Sequence, residues 1–497
     1  MKTGSGFSFM MMTIIMCVLT TLVCISPAQE TAGEKRETIT VEQLREDFNI
    51  LRSALEEGHA GLYRYSSKAE MDRRFDEAAA RLDQPMPEWA FVRLLTPLIA
   101  SINCGHTHLT ASSKLESYLK QRPISPPFKL HFIDGKAYLI HNYSNRDLPV
   151  GAEVVSINGY RMTTVIDRLL PAIPSDAHVE SAKYHRLSDP VYFGRLYNIF
   201  FGETPVYEID FWDEEDGALA PFTVAGISFA SLNRRRKERY PVPNASQPPI
   251  AFEYKEEIPV LTIRTFGGGA YRAARIDYPA FLKKTFRELD EKDAPALIID
   301  LRDNGGGSDA FGRILFSYFI DEPFRYYAAL ETKKLNYDFM KYTNVPEERR
   351  TQPEANFRRN KRGWYDVLAH PNVGTMKPIS PTFRGKTYVL INGRSFSASG
   401  EATSPMHYHR KAVFIGEECG AGYYGNNSGS MPGLKLPHTG IRVRIPLVRY
   451  TMAVDDYPND RGIIPEHRVD PSVEDILKGR DTVMAYALDL VARETRK

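Results

Sequence analysis

Two short apolar runs, each ending in a turn of small and polar residues, constrain the fold of this chain more than any other feature. The first covers residues 296–300 and leads into a triple-glycine turn at 305–307, and the second covers residues 387–391 and leads into a Ser-rich turn. Continuous apolar runs of this length are typical of strands buried on both faces. A helical pattern at 273–289 lies between the first run and another candidate strand at 260–263. Strands that alternate with helices predict an α/β core.

The turn after the second run places a serine between a buried strand and the start of a helix. Ser397 is followed by Ala398 and by further small, helix-compatible residues. A serine exposed on such a turn, with backbone N–H groups beside it, has the geometry that an acyl-transfer nucleophile needs. A Ser-rich turn or a helix N-cap explains the same residues without any chemistry.

The glycines after the first run allow a close approach of the backbone to another atom. Gly305 and Gly306 can adopt positive φ at little cost, which suits a ligand cradle, an oxyanion hole or a plain tight turn. The segment is not a phosphate-binding loop, because no Gly-Lys-Ser/Thr sequence follows it.

Together, the two turns resemble the tail-specific (carboxyl-terminal processing) serine peptidase family, which carries an "LRxNGGG" segment and a later "SAS" serine turn. Three downstream segments resemble other motifs of the family: 410–417 ("RAxxxGE"), 434–440 ("LxLPxG") and 461–466 ("GxxPD"). The resemblance covers roughly residues 250–480. It implies a crotonase-like or ClpP-like spiral core, a peptide or protein substrate and no cofactor. It also implies that Ser397 is the nucleophile, with the N–H groups of Gly305 or Gly306 and of Ala398 as the oxyanion hole.

The chain departs from the family at the general base. Processing peptidases usually supply a lysine from the loop after the "GE" segment, and the corresponding position here is Gly422. Histidine is the natural substitute near neutral pH. Residues 102–109 resemble the "DGHT" segment of the tricorn-like branch, so we expect His106 to be the base, with His108 as the alternative.

The acid that orients the histidine is expected in a late polar loop. In the tricorn-like branch it is a glutamate, and the corresponding position here is Asn459. Asp460 is therefore the expected acid and Asp456 the alternative. No metal is expected, because the histidines do not have the H-E-x-x-H spacing.

The N-terminus predicts export. Lys2 precedes an apolar stretch at 7–25, and Ser26-Pro27-Ala28 offers a cleavage site, so residues 1–28 are interpreted as a signal peptide of a secreted or periplasmic protein. Retention as a membrane anchor is the alternative. No second apolar run of about eighteen residues exists, so no multi-span insertion is expected.

The mature chain would keep two cysteines, Cys104 and Cys419, because Cys17 and Cys24 lie in the leader. If His106 and Ser397 meet, these two cysteines come close together. In an oxidising compartment they could form a disulfide, and two buried thiols are the alternative.

The remaining chain suggests four segments: an N-terminal helical domain at 29–120, a β-rich domain at 121–245, the catalytic core at 246–480 and a C-terminal helix at 481–497. The stretch 151–159 resembles part of a PDZ domain, a module that binds peptides as an added strand. Turns are predicted at Asp134-Gly135 and Asn158-Gly159. Residues 323–380 are interpreted as an insertion, either a lid or a specificity element.

Charge argues against a nucleic-acid partner. The net charge is +2, and the one basic run, at 234–239, is predicted to be a solvated linker. The sequence thus favours a serine-type peptidase that acts through a Ser-His-acid mechanism. A peptide- or lipid-binding protein on the same fold and an esterase are the alternatives, and the oligomeric state is not predicted.

Overall fold

The computed structural model describes residues 37–213, 217–241 and 247–495. The predicted signal peptide, with Cys17 and Cys24, lies outside these residues and stays a prediction. Within the described ranges, no helix is both long and apolar enough to cross a membrane.

The N-terminal region is helical, as predicted. Thr40 and Ser67 each begin a helix with a reciprocal capping box, to Gln43 and Glu70. The elements are β1 Thr38–Ile39, α1 Val41–Gly58, α2 Lys68–Ala80, β2 Met86–Pro87, α3 Glu88–Ala100, β3 Leu109–Thr110 and α4 Ser113–Gln121. The apolar faces of these helices pack against residues from 337–340 and 434–447. The helices therefore share their core with segments far along the chain.

The middle region contains a sheet with the strand order β4-β5-β6-β8-β9, in which β7 pairs with β6. Its elements are β4 Phe128–Ile133, β5 Lys136–Asn142, β6 Glu153–Ile157, β7 Tyr160–Arg161, α5 Met162–Leu169, α6 Glu180–Leu187, α7 Pro190–Phe201, β8 Val206–Asp213, β9 Ala218–Ala225 and α8 Phe229–Arg239. Both predicted hairpin turns are present: Asp134-Gly135 and Asn158-Gly159 have positive φ at both residues, as a type I′ turn requires.

The prediction of a linker at 234–239 is wrong, because these residues belong to α8. Arg235 and Arg239 donate hydrogen bonds to the carbonyl groups of Tyr143 and Ser144, both at 2.6 Å. Leu232, on the same helix, is fully buried. These hydrogen bonds hold α8 against the loop after β5. The composition of the basic run does not reveal this contact.

The core contains a six-stranded sheet in the order β10-β11-β12-β18-β19-β24. The strands from β11 to β24 are parallel, and β10 pairs antiparallel at the edge. The elements are β10 Ile250–Lys255, β11 Ile258–Ile263, α9 Gly268–Ala274, α10 Tyr278–Glu291, β12 Ala296–Asp300, α11 Asp309–Phe316, β13 Phe324–Arg325, β14 Tyr327–Thr332, β15 Phe357–Arg359, β16 Tyr365–Val367, β17 Thr375–Met376, β18 Lys386–Ile391, α12 Ala398–Tyr408, β19 Val413–Gly416, β20 Asn427–Ser428, β21 Gly433–Lys435, β22 Arg442–Arg444, β23 Val448–Met452, β24 His467–Arg468, α13 Val473–Lys478 and α14 Thr482–Thr495.

Apolar layers cover both faces of this sheet. Helices α9 to α12 contribute to the core on one face, and α14 covers the other with residues such as Val483 and Ala487. The strands at 296–300 and 387–391 are therefore buried on both sides, as their continuous apolar character predicts. The fold is mixed α/β.

One predicted element has different boundaries. The helix expected at 273–289 is two helices, because Arg275 ends α9 in the left-handed conformation and Asp277 caps α10. Within 323–380, β14, β15 and β16 join β20 and β23 in a five-stranded sheet.

Candidate active site

The two turns singled out in the sequence lie side by side. Strands β12 and β18 are neighbours in parallel register, with Asp300 opposite Leu390, so the turns that follow them leave the same edge of the sheet. Phe396 N–H donates to the carbonyl of Asn304 at 3.0 Å, and Asp303 N–H donates to Asn392 Oδ1 at 3.0 Å. These bonds hold the serine turn against the glycine turn, at the strand ends where open α/β sheets place their sites.

Ser397 occupies a strained position between β18 and α12. Its φ of +58° and ψ of −127° are rarely adopted by a residue with a side chain. The side chain is only partly buried, whereas that of Ser399 is fully buried and its Oγ has no hydrogen-bond partner among the described residues. The strain therefore falls on the serine whose hydroxyl is accessible.

The structure brings His106 to this serine. His106 Nε2 lies 3.1 Å from Ser397 Oγ, and the His106 ring packs on Phe396 with centroids 4.7 Å apart. The histidine loop is held in place by the pairing of β3 with β22 and by Arg444 N–H, which donates to the carbonyl of His108 at 3.0 Å. His108 thus contributes its backbone to the loop, and His106 contributes its side chain to the site.

Burial, together with the nearby His108, Arg186 and Arg444, lowers the pKa of His106 to about 3. The imidazole is consequently neutral near neutral pH. Nε2 can then accept a hydrogen bond from the Ser397 hydroxyl, which is the arrangement a general base requires.

Neither predicted acid contacts His106. The carboxylate of Asp460 lies 3.8 Å from Nδ1 of a different histidine, His178, and is half exposed. Asp456 is exposed and lies in the region of Tyr408. The polar loop at 455–460 therefore does not bring a carboxylate to His106.

A residue that the sequence analysis missed lies next to His106. A nitrogen of His106, a carboxylate oxygen of Asp176 and the Cys104 sulfur lie within 4.8 Å of one another. Asp176 is almost completely buried, and its Oδ1 accepts a hydrogen bond from Gly105 N–H at 2.7 Å. It stands in the polar turn before α6, and no motif or periodicity marks it out from other loop aspartates.

The predicted oxyanion donors differ in availability. Gly306 N–H donates to Asn304 Oδ1 at 2.9 Å, so this N–H is already used. Gly306 instead allows the close approach of the two turns, because a Cβ there would lie 2.7 Å from the Ser397 Cβ. Among the described residues, no acceptor is recorded for the N–H of Gly305 or of Ala398. The N–H groups of Gly305 and Ala398 therefore remain the candidate donors of the oxyanion hole.

Comparison with known proteins bears directly on this site. Residues 257–469 match peptidase family S41. The chain carries a serine-type peptidase domain of family S41. No curated protein sequence matches the chain.

Several solved structures align over most of this chain. Mature CPAF aligns over 91% of this chain and 97% of its own, with 15% identity and a TM-score of 0.57. A putative peptidase from Parabacteroides merdae aligns over 90% and 96%, with 15% identity and a TM-score of 0.46. The photosystem II D1 C-terminal processing protease aligns over 90% and 99%, with 13% identity and a TM-score of 0.40. The similarity to CPAF therefore extends to the regions outside the S41 match.

The position that carries lysine in related S41 peptidases is filled differently here. A Cβ at Gly422 would lie 2.9 Å from Tyr65 Oη and 3.8 Å from Asp176 Cβ. A lysine side chain would therefore require Tyr65 to move. The space that the amine would need is bordered by the same aspartate that lies beside His106.

Cys104 and Cys419 are both free, so the predicted disulfide is not formed. The Cys104 thiol donates to the carbonyl of Asn427 at 3.7 Å, and the Cys419 thiol donates to that of Ser395 at 3.1 Å. Burial raises the pKa of both thiols to about 11. Both cysteines therefore act as buried packing residues.

Cys104, His106 and Asp176 together are also of the residue types that bind metals. The positive charges of Arg64 and Arg186 act on the carboxylate of Asp176. A divalent cation would be repelled by these guanidinium groups. The cluster is therefore better suited to proton chemistry than to a metal ion.

A buried carboxyl network surrounds Glu401 on α12, the helix that begins after Ser397. Tyr327 Oη is 2.7 Å from Glu401 Oε2 and 2.9 Å from Asp309 Oδ2, and Asn426 Nδ2 donates to Glu401 Oε1 at 2.6 Å. A single hydroxyl proton cannot serve both carboxylates. Burial, with the nearby Asp309, raises the pKa of Glu401 to about 7.

Glu401→Gln should therefore stabilise the protein at high pH relative to wild type. Between the ordinary pKa of 4.5 and the folded value of about 7, the folded state keeps a proton that the unfolded state has lost. Wild-type stability thus falls as the pH rises through this window, and the variant escapes that loss. The glutamine amide can donate to Tyr327 Oη, and its oxygen can still accept from Asn426. Denaturant unfolding at about pH 5 and pH 8 should show a relative gain at the higher pH, on the order of 3 kcal/mol at most. An equal effect at both pH values would contradict this assignment.

Proposed function

We propose that this protein hydrolyses peptide bonds with Ser397 as the nucleophile and His106 as the general base. One observation carries the proposal: Nε2 of a buried, neutral histidine lies 3.1 Å from the hydroxyl of a strained serine at the start of a helix. Nucleophile and base within hydrogen-bond distance are the signature of covalent acyl transfer.

The reaction would proceed in two halves. Ser397 Oγ attacks the carbonyl carbon of the scissile bond while its proton passes to His106 Nε2. The resulting tetrahedral intermediate collapses, the C–N bond breaks, and the leaving amine takes the proton from His106. Water then repeats the sequence on the acyl-enzyme, with His106 again accepting and returning one proton. The acid product leaves, and the Ser397 hydroxyl is restored.

The negative charge of each tetrahedral intermediate would be held by backbone donors. Ala398 N–H adjoins the nucleophile, and Gly305 N–H lies in the adjacent turn; neither has a recorded acceptor within the described ranges. Donors that are already oriented before the reaction give most of the stabilisation that an oxyanion hole provides. Gly306 supports this arrangement through its close packing rather than through its N–H.

Labelling with a fluorophosphonate probe tests the proposal without knowledge of the substrate. The probe should form a covalent adduct on the full-length protein, and mass spectrometry of the digested protein should locate it at Ser397. A binding protein that uses the same fold without catalysis would stay unlabelled. Absence of labelling in folded protein would reject the proposed chemistry.

We also propose that the middle region binds part of the polypeptide substrate. Strand β4 lies at an edge of its sheet, where an extended peptide can add as a further strand. A groove of about 380 Å³ runs beside it, lined by Phe132 and Ile133 from β4 and by Glu180, Tyr184 and Ser188 from the region of α6. The resemblance of 151–159 to a PDZ segment supports the same role.

Substitution Ile133→Arg should place a charged side chain in this groove. We expect slower turnover of long polypeptides, because binding outside the reacting bond would be lost, and unchanged labelling by the small probe. Leu219→Arg, on the far edge strand β9 where Leu219 is half exposed, is the matched control. Equal turnover by wild type and both variants would remove the groove from the proposal.

A further inference from the structure

The imidazole of His106 has a second ring nitrogen that the proposed reaction leaves unexplained. Nε2 faces Ser397, whereas Nδ1 is buried and has no hydrogen-bond partner among the described residues. For Nε2 to accept the serine proton, Nδ1 must carry the hydrogen in the resting enzyme. A buried N–H without an acceptor is costly, and the imidazolium formed during the reaction would be costlier still.

Asp176 has a matching unused atom. Its Oδ1 accepts from Gly105 N–H, but Oδ2 is buried and has no partner within the described part of the chain. Gly105 is the immediate neighbour of His106, so the hydrogen bond at 2.7 Å fixes the carboxylate relative to the ring. Both His106 and Asp176 thus have a buried polar atom without a partner among the described residues, and a ring nitrogen of His106 lies within 4.8 Å of a carboxylate oxygen of Asp176.

We propose that Asp176 is the positioning carboxylate of the catalytic histidine. It favours the tautomer with hydrogen on Nδ1 and stabilises the imidazolium while His106 holds the serine proton. It acts through its negative charge, which is close to the ring in a buried site where charges interact strongly. Asp176 keeps its charge throughout, and no proton transfers to it in the cycle. The inference rests on the proposed function of Ser397 and His106.

The charge of Asp176 depends on pH in the accessible range. Burial raises its pKa to about 6, against the lowering effect of the N–H groups of Gly105 and Gly422 and of the nearby Arg64 and Arg186. The titratable or charged groups that act on Asp176 and His106 are Arg64, Tyr65, Cys104, His108, Arg186, Cys419 and Arg444. Below about pH 6 the carboxyl is neutral and no longer stabilises the imidazolium, so the reaction should slow as the pH falls through this value.

The test compares fluorophosphonate labelling rates of wild type, Asp176→Asn and Asp460→Asn. The amide oxygen of Asp176→Asn can still accept from Gly105 N–H, so the variant removes the charge and keeps the loop contact. We expect its labelling rate at about pH 8 to fall by about 10-fold to 10⁴-fold, the upper value being the effect of the same substitution in a Ser-His-Asp triad. We also expect the pH dependence near 6 to disappear. Asp460→Asn, at the half-exposed carboxylate beside His178, should match wild type in both respects.

Three outcomes separate the possibilities. If wild type is labelled at Ser397 but Asp176→Asn labels at the same rate with the same pH profile, the role of Asp176 is rejected and the proposed function stands. If wild type is not labelled, the proposed function itself fails. If Asp176→Asn does not fold, the wild-type profile decides: a rate that is flat from about pH 5 to 8 would overturn the role of Asp176.

Discussion

Replacement of Ser397 by alanine is expected to abolish peptidase activity and probe labelling. The change removes the one hydroxyl that lies within 3.1 Å of His106 Nε2. For other serine hydrolases, loss of the nucleophile costs about 10⁶-fold in kcat, and the residual rate comes from binding and the oxyanion hole. We expect a loss of at least about 10⁴-fold for this protein. Peptide turnover and fluorophosphonate labelling measure it.

The fold should survive this substitution. Ser397 is only partly buried, and no side-chain hydrogen bond of Ser397 caps α12. Thermal unfolding should therefore stay close to that of wild type. Ser399→Ala is the matched control, because it removes an equivalent hydroxyl two residues away that is fully buried. If Ser399→Ala lost labelling and Ser397→Ala kept it, the assignment of the nucleophile would be wrong.

His106→Ala should have the next largest effect. Without the imidazole, Ser397 Oγ has no other side-chain acceptor within hydrogen-bond distance among residues 37–213, 217–241 and 247–495, and we expect labelling to fall by about 10⁴-fold or more. His108→Ala should remain within a few-fold of wild type, because His108 contributes a backbone carbonyl to the loop. The two labelling rates, measured at about pH 8, test the assignment. A greater loss in His108→Ala would reverse the roles of the two histidines.

The dependence of activity on pH should differ from that of an enzyme whose histidine base has its ordinary pKa. The sequence predicts a decline as the pH falls through a value of about 6.5. The structure places the pKa of His106 at about 3 through burial, so protonation of the base should reduce activity only at much lower pH. The dependence near pH 6 should instead come from Asp176 and should be absent in Asp176→Asn. If activity still falls as the pH drops through about 6.5 in Asp176→Asn, the pKa of His106 is close to its ordinary value.

The strands and turns of the core were predictable because their signals are local. The apolar run at 296–300 is strand β12 with the same boundaries, and the Asp-Gly and Asn-Gly pairs form the expected hairpin turns. Strand burial and positive φ depend mainly on the residues themselves and on their immediate neighbours. The helical state of 234–239 was missed because it depends on carbonyl partners almost one hundred residues earlier, such as Tyr143, 92 positions from Arg235.

The residue types available for chemistry could be read along the chain: a serine on a strand-to-helix turn, glycines on a second turn and a histidine pair where the family usually has a lysine. The α/β core could be predicted as well, because the apolar runs and the helical pattern between them are properties of the linear sequence. Which residues become neighbours depends on the folded structure. His106 and Ser397 are 291 positions apart, and Gly105 and Asp176 are 71 apart. Asp176 rather than Asp460 lies beside the histidine, Gly306 N–H is already bonded to Asn304, and the two thiols point to separate carbonyl groups. Each of these outcomes depends on distance and direction in space, which residue spacing along the chain does not encode.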